Sequence, residues 1–282
     1  MLSQRHGSKG TLIMTNLPLT NSIILTLEQG WLTIAFNRPD NRNALSEELA
    51  GELRTTLEAI RNDRSVRGIT IRGNGGVFCA GGDLKSFKSS FHGEAGTETA
   101  VIASNKAGGA LFALINTMPQ VVLILVDGPA IAGGLGMVCC GDIVAVTHGA
   151  KFSLTETQLG IAPAQIAPYV VQRLGLNMAR RLMLTGARFT GAEAIGYGLA
   201  DFAVENGSDF DAIEEDIRMS VMRCAPNANA VTKEIVLATR YLGVDDMQDF
   251  AARGFAKCMM SDEGKEGMAS FAEKRKPSWA VS

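Results

Sequence analysis

The feature that most restricts the fold is a repeated local pattern: an apolar, β-branched run, a glycine-rich turn, then a helix. Residues 68–72 run into Gly75-Gly76-Val77-Phe78-Cys79-Ala80-Gly81-Gly82, and residues 121–126 into Gly128-Pro129-Ala130-Ile131-Ala132-Gly133-Gly134-Leu135-Gly136. Short apolar runs of this kind read as buried strands. The start of the chain fits the same scheme. Strand-like runs at 22–27 and 31–37 flank a Gln29-Gly30 turn. Leu45, Leu49, Leu53, Leu57 and Ile60 then recur at helical spacing, with Ser46 as N-cap and Glu47 and Glu48 in the first turn. Strand, strand, helix is the opening unit, and it recurs.

Further on, the pattern predicts a helix over 97–116, a strand over 121–126 and a short helix over 133–140. Strands follow over 143–147 and 151–154. From Pro163 the chain reads as nearly all helical, broken at 186–190 and by a short strand near 201–204. Gly207-Ser208 and Pro226-Asn227 mark helix junctions. Residues 1–13 lack periodicity and read as an extension, with Met14 as a second candidate start. The expected division is that extension, an α/β core over 14–205 and a helical region over 206–282.

Composition removes several kinds of chemistry. A net charge of −2 gives no global field to recruit nucleic acid or an anionic membrane. No apolar run reaches the ~18 residues that a spanning helix needs, so a soluble, cytoplasmic protein is expected. Cys79, Cys139, Cys140, Cys224 and Cys258 are scattered with no CxxC pair, which points to buried free thiols rather than disulfides or zinc. His6, His92 and His148 lie outside every motif, leaving little for a Ser–His or Cys–His nucleophile, and no metal is expected. The chemistry has to come from backbone groups and carboxylates.

Both glycine-rich segments can bring backbone N–H groups close to an anion, and the second adds the positive end of a helix dipole. A tight surface loop and close helix–sheet packing also select glycine. Neither segment ends in the Gly-Lys-Ser/Thr of a P-loop, and the GxGxxG spacing of a dinucleotide site is missing. A third segment places Glu156 among Leu154, Leu159, Ile161 and Pro163, after a strand and ahead of a proline-initiated helix. An apolar surround raises a carboxyl pKa and makes it a proton carrier near neutrality; the plainer reading is a solvated turn glutamate.

In this order the three segments resemble the crotonase (enoyl-CoA hydratase/isomerase) superfamily, over about residues 25–279. Asn37-Arg38-Pro39 with Arg42-Asn43-Ala44-Leu45 is similar to the family's opening signature, and 78–84 and 128–137 to its two oxyanion segments. Residues 182–199 and the tail FAEKRKP continue the likeness. The resemblance implies an α/β fold, a crotonase-type spiral of ββα units with a C-terminal helical trimerisation region, assembled as a trimer or a dimer of trimers. It implies that the N–H groups of Gly82 and Gly133 hold a thioester oxygen. Backbone groups around Arg42, Ala44, Ala80, Asp83 and Leu84 would bind coenzyme A, with Arg42 meeting a phosphate. Phe271 and Lys274 would reach coenzyme A across a subunit boundary. No separate cofactor is implied, since coenzyme A arrives as part of the substrate.

One departure matters. Two-glutamate hydratases carry Gly-Gly-Gly-Cys-Glu at the second oxyanion segment, whereas here Gly136 stands where the first glutamate would be and only Glu156 is kept. Gly136 is expected to leave a side-chain-sized space beside the reacting carbons, open to a branched or carboxylated acyl group. A lone glutamate also serves 3-enoyl to 2-enoyl isomerases of this fold. Residues 153–160 and 162–170 favour hydration, being similar to bacterial hydratases of 3-methylglutaconyl-CoA (leucine breakdown) and isohexenylglutaconyl-CoA (acyclic terpene breakdown), with the isohexenyl version preferred. RNA binding, known for some relatives, would rest on Lys274, Arg275 and Lys276. With Glu273 beside them, these read as a solvated or CoA-facing helix end.

Overall fold

The computed structural model describes residues 17–82 and 97–280. Strands β1 (Ile23–Glu28) and β2 (Trp31–Phe36) form an antiparallel hairpin. Its turn residues Gln29 and Gly30 both have positive φ, the geometry that matches the twist of the flanking strands. Helix α1 (Glu47–Ile60) starts where expected, the Ser46 side chain accepting the Leu49 N–H and Glu47 and Glu48 facing the positive end of the dipole. Its Leu49, Leu53, Leu57 and Ile60 are fully buried.

The parallel strands follow: β3 (Gly68–Gly73), helix α2 (Glu98–Asn116), then β4 (Val121–Val126). A strand the sequence reading missed, β5 (Pro129–Ile131), leads into the short helix α3 (Gly133–Val138). Strands β6 (Ile143–Thr147) and β7 (Lys151–Ser153) precede a 3₁₀ turn at Glu156–Leu159. Helix α4 spans Ala167–Thr185 and is kinked at Gly175, whose φ of 74° is not helical. It begins at Ala167, with Pro168 in its first turn, and not at Pro163 as the sequence suggested. Then come β8 (Arg188–Thr190), α5 (Gly191–Ala194), β9 (Phe202–Val204), α6 (Phe210–Met222), α7 (Pro226–Ala238), α8 (Val244–Met259) and α9 (Asp262–Ala272).

Two sheets result among the described residues. The larger runs β1-β2-β3-β4-β6-β9, parallel from β2 onward; the smaller runs β5-β7-β8. A large apolar core joins α1, α2, α3 and α4 to the sheets, while α6 covers the other side of the larger sheet through Phe210, Ile217 and Val221 against Trp31, Leu123 and Leu125. Gly68 admits the Trp31 ring, since a Cβ there would stand 2.1 Å from Cζ3. Trp31 Nε1 donates to Thr70 Oγ1, which donates to Glu214, so this buried aromatic has its polar edge satisfied.

Cys79, Cys139 and Cys140 are buried, as expected; Cys224 is exposed and Cys258 half-buried. Burial pushes the Cys79 thiol up to about 11 and that of Cys139 to about 12, so neither is a nucleophile near neutral pH. His148 lies beside Glu205, 2.9 Å away, while His6, His92 and Met14 are outside the described residues, as is all of 1–13. Among the described residues no helix is long and apolar enough to cross a membrane.

Candidate active site

The two glycine-rich segments leave adjacent parallel strands, β3 and β4, at the same edge of the larger sheet. They then pair with each other: Cys79 N–H donates to Pro129 O (3.1 Å) and Ile131 N–H to Cys79 O (2.9 Å). Glycine is required at Gly128, with φ of +110° and a Cβ that would fall 2.0 Å from Gly76 O. The turn before α1 docks on the outer side of this pair. Ala80 N–H donates to Arg42 O (3.1 Å) and Leu45 N–H to Gly81 O (2.8 Å). Arg42, Ala44, Ala80 and Gly82 are thereby gathered at one edge. Because the Ala80 N–H is already used, it is its carbonyl that remains for a ligand there.

Asn43 makes this docking possible, a role that sequence reasoning missed. It is fully buried with φ of +52°, accepts the Arg38 N–H and donates to both Asn74 O and Val77 O. Asn tolerates the left-handed region better than most residues, which was the available signal.

At the second segment, Ala132 takes φ +51° and ψ −120°, a conformation that glycine accepts and alanine resists at a cost of about 1–3 kcal/mol. Its N–H donates to Ser153 O on β7 (2.8 Å), which holds it there. Gly133 follows as the first residue of α3, so its N–H has no intrahelical acceptor and lies at the positive end of the helix.

Glu156 reaches the same edge by a separate route. β5 and β7 are paired with Ile131 opposite Ser153, so the chain leaves these neighbouring parallel strands at the same end, two residues before Gly133 and three before Glu156. Gln158 Nε2 and Ser153 Oγ both donate to Gly186 O, and Thr157 Oγ1 donates to Met183 O, fixing the 3₁₀ turn. The Glu156 side chain is half-buried, and its buried Oε2 has no hydrogen-bond partner among the described residues. Burial raises the carboxyl pKa above the ordinary range, opposed by a smaller pull from its own backbone N–H. A carboxyl in this state is suited to exchanging a proton with a bound molecule.

Gly136 requires a correction. It opens no space: a Cβ there would stand 2.2 Å from Ile166 Cγ2 and 2.6 Å from Ile166 Cβ. The Ile166 side chain, only 4% exposed, fills the space beside Gly136. Phe271 and Lys274 are not brought to the site within one chain. Their segment is anchored at the start of β3, where Arg67 donates to Trp279 O, the opposite edge of the sheet from the glycine turns. Phe271 is 85% exposed. Asp83 and Leu84 lie outside the described residues.

The Enoyl-CoA hydratase/isomerase family matches residues 26–281. Pseudomonas aeruginosa AtuE superposes with a TM-score of 0.88 at 43% identity, over 93% of this chain and 100% of that one. An enoyl-CoA hydratase/isomerase from Marinobacter aquaeolei gives 0.88 at 37% identity, over 92% and 99%. The human mitochondrial enoyl-CoA hydratase domain-containing protein 2 is 34% identical over 255 residues, 89% of this chain and 85% of that one. The chain is an enzyme that belongs to the enoyl-CoA hydratase/isomerase family.

Proposed function

We propose that this enzyme adds water across the conjugated double bond of a branched or carboxylated enoyl-CoA, of the isohexenylglutaconyl-CoA or 3-methylglutaconyl-CoA type. The observation that carries the reading is the Glu156 carboxyl, raised by burial and lacking a partner, beside the strand ends that present Gly82 and Gly133. The thioester oxygen lies on the N–H groups of Gly82 and Gly133, which stabilise the enolate formed as water attacks; one such donor is worth about 2.7–4 kcal/mol of barrier. Glu156 removes a proton from water as its oxygen bonds to the β-carbon, then delivers that proton to the α-carbon. One water is consumed and the glutamate is regenerated.

Coenzyme A enters with the substrate, held by backbone groups around Arg42, Ala44 and Ala80; the same reading assigns Asp83 and Leu84, which lie outside the described residues. Arg42, exposed on its left-handed turn, faces a phosphate. Phe271 and Lys274 reach coenzyme A from a neighbouring copy in a trimer or a dimer of trimers. Helix α8 supports assembly, since it is amphipathic yet buries no residue in the single chain, and Val244, Phe255 and Met260 stand exposed around it. The test is a panel of straight-chain, 3-methylglutaconyl and isohexenylglutaconyl thioesters, followed by loss of the conjugated thioester absorbance. Running it in ¹⁸O-water separates hydration from isomerisation, in which Glu156 moves a proton between carbons and no oxygen enters the product.

A further inference from the structure

The turn that carries Glu156 is held by hydrogen bonds more than by packing. None of the residues of the turn, Glu156–Leu159, is fully buried, and Leu159 and Ile161 are each more than half exposed. Its anchor is the end of α4. The last carbonyls of a helix have no intrahelical donor and are open to donors from elsewhere. Met183 O accepts the Thr157 hydroxyl (3.1 Å), and Gly186 O, one residue past the helix, accepts both Ser153 Oγ (3.0 Å) and Gln158 Nε2 (3.3 Å). Gly186 closes α4 in the left-handed region, φ +62°, with its N–H on Leu182 O, and a Cβ there would overlap the Gln158 amide. Ser153 stands three residues before Glu156 and Gln158 two after, so one carbonyl is engaged from both sides of the glutamate. Ser153 is buried, and its own carbonyl accepts the N–H of Ala132, the neighbour of Gly133.

We infer that Ser153 and Gln158 are positioning residues for Glu156, holding its turn beside the second glycine segment by sharing the Gly186 carbonyl. This rests on the hydratase reading of Glu156 and deepens it. A carboxyl that exchanges protons with a bound molecule has to stay within hydrogen-bond reach of it, and a displacement of about 1 Å can cost about 10²-fold in rate. The two donors back each other up, since either alone keeps Gly186 O engaged. The groups proposed to hold coenzyme A, around Arg42, Ala44 and Ala80, belong to other turns. Loss of the anchor should therefore lower turnover and leave binding in place.

The experiment compares wild type with Ser153→Ala, Gln158→Met and the double variant, each checked by a thermal melt. Three quantities are read: turnover of the conjugated thioesters named above, binding of acetyl-CoA by calorimetry, and titration of the Glu156 carboxyl by ¹³C NMR. Its signal is assigned by its loss in Glu156→Gln. The double variant should lose about tenfold or more in kcat and each single variant about threefold or less, with acetyl-CoA binding within about twofold of wild type. In the double variant the Glu156 titration should move down toward the ordinary carboxylate range, as water reaches the loosened turn. Ser153→Ala with Gln158→Lys restores a donor that also suits the negative end of α4, and should recover the kcat of Ser153→Ala alone. Should the buried Ser153→Ala change prevent folding, Thr157→Val with Gln158→Met removes two of the three anchoring bonds at exposed positions and is read in the same way. Wild-type kcat or an unchanged Glu156 titration in the folded double variant overturns the inference, as does a loss of kcat matched by an equal loss of acetyl-CoA binding. Failure of the hydratase reading looks different: wild type hydrates none of the thioesters, yet the Glu156 titration still moves in the double variant.

Discussion

Replacing Gly136 with alanine tests whether the space beside α3 is filled or free. The new Cβ would stand 2.2 Å from Ile166 Cγ2, whereas carbon atoms rest at about 3.5–4.0 Å, so the isoleucine must retreat by roughly 1.3 Å or more. Ile166 is almost wholly enclosed and has no free direction to move in. Overpacking of this kind costs about 1–3 kcal/mol. For a chain of roughly this size each kcal/mol lowers the melting temperature by about 2–4 °C, so the expected loss is about 2–12 °C. Ile166→Ala alone leaves a cavity and should cost about 2–5 kcal/mol. In the double variant the Cγ2 clash is gone, although the residue-166 Cβ, 2.6 Å from the new methyl group, must still shift. Its loss should be smaller than the sum of the two single losses, a coupling of about 0.5–3 kcal/mol between the two sites. The assay is a set of four thermal melts with matching urea titrations. A Gly136→Ala protein as stable as wild type, or losses that simply add in the double variant, would refute the contact. The same geometry means that Gly136→Glu alone does not restore a two-carboxylate site, because its side chain must first displace Ile166.

Glu156→Gln should fold and bind acyl-CoA while losing about 10²–10⁴-fold in turnover, the usual cost of a missing general acid–base group; turnover near wild type ends its assignment. Because burial raises the folded carboxyl above its unfolded value, its contribution to stability is intact in acid and is lost as pH rises through the folded pKa. Glu156→Gln should therefore gain stability relative to wild type on going from acid to neutral pH, and a gap between the two unfolding curves that stays constant with pH would contradict this. For the same reason the acid limb of kcat/KM should fall at a pH above the ordinary carboxylate range, which a pH–rate profile reads directly. Gly133→Pro should abolish turnover in a folded protein, since proline suits the first position of a helix but has no N–H. Gly133→Ala keeps the N–H and finds ordinary contacts at 3.7 Å, so activity in Gly133→Pro comparable with Gly133→Ala would remove Gly133 from the oxyanion hole.

Local chemistry was enough to locate α1, β4 and β6, because their signals lie within a few residues of each other. Ser46 caps its own helix, and Val121–Val126 and Ile143–Thr147 are apolar runs that can only be buried. The start of α4 was misplaced because a proline is equally at home in the turn that precedes a helix, and Pro163 lies in that turn. Strand β5 was missed for a different reason. Its three residues have no pattern of their own and become a strand only by pairing with Lys151–Ser153, far along the chain. The site shows the same division. The glycine-rich segments and Glu156 were legible one at a time, but the approach of the second segment to the strand before Glu156 depends on the β5–β7 pairing.

Gly136 illustrates how an absent side chain can be misread. A sequence shows only that an atom is missing; whether a gap results depends on what another segment puts there, and here Ile166 puts a branched aliphatic group. In the hydration proposed here, the group that takes a proton from water is also the one that returns it. A carboxyl doing both needs a pKa close to working pH and freedom from competing hydrogen bonds. Burial moves Glu156 in the first direction by raising its pKa, and Oε2, with no hydrogen-bond partner among the described residues, meets the second.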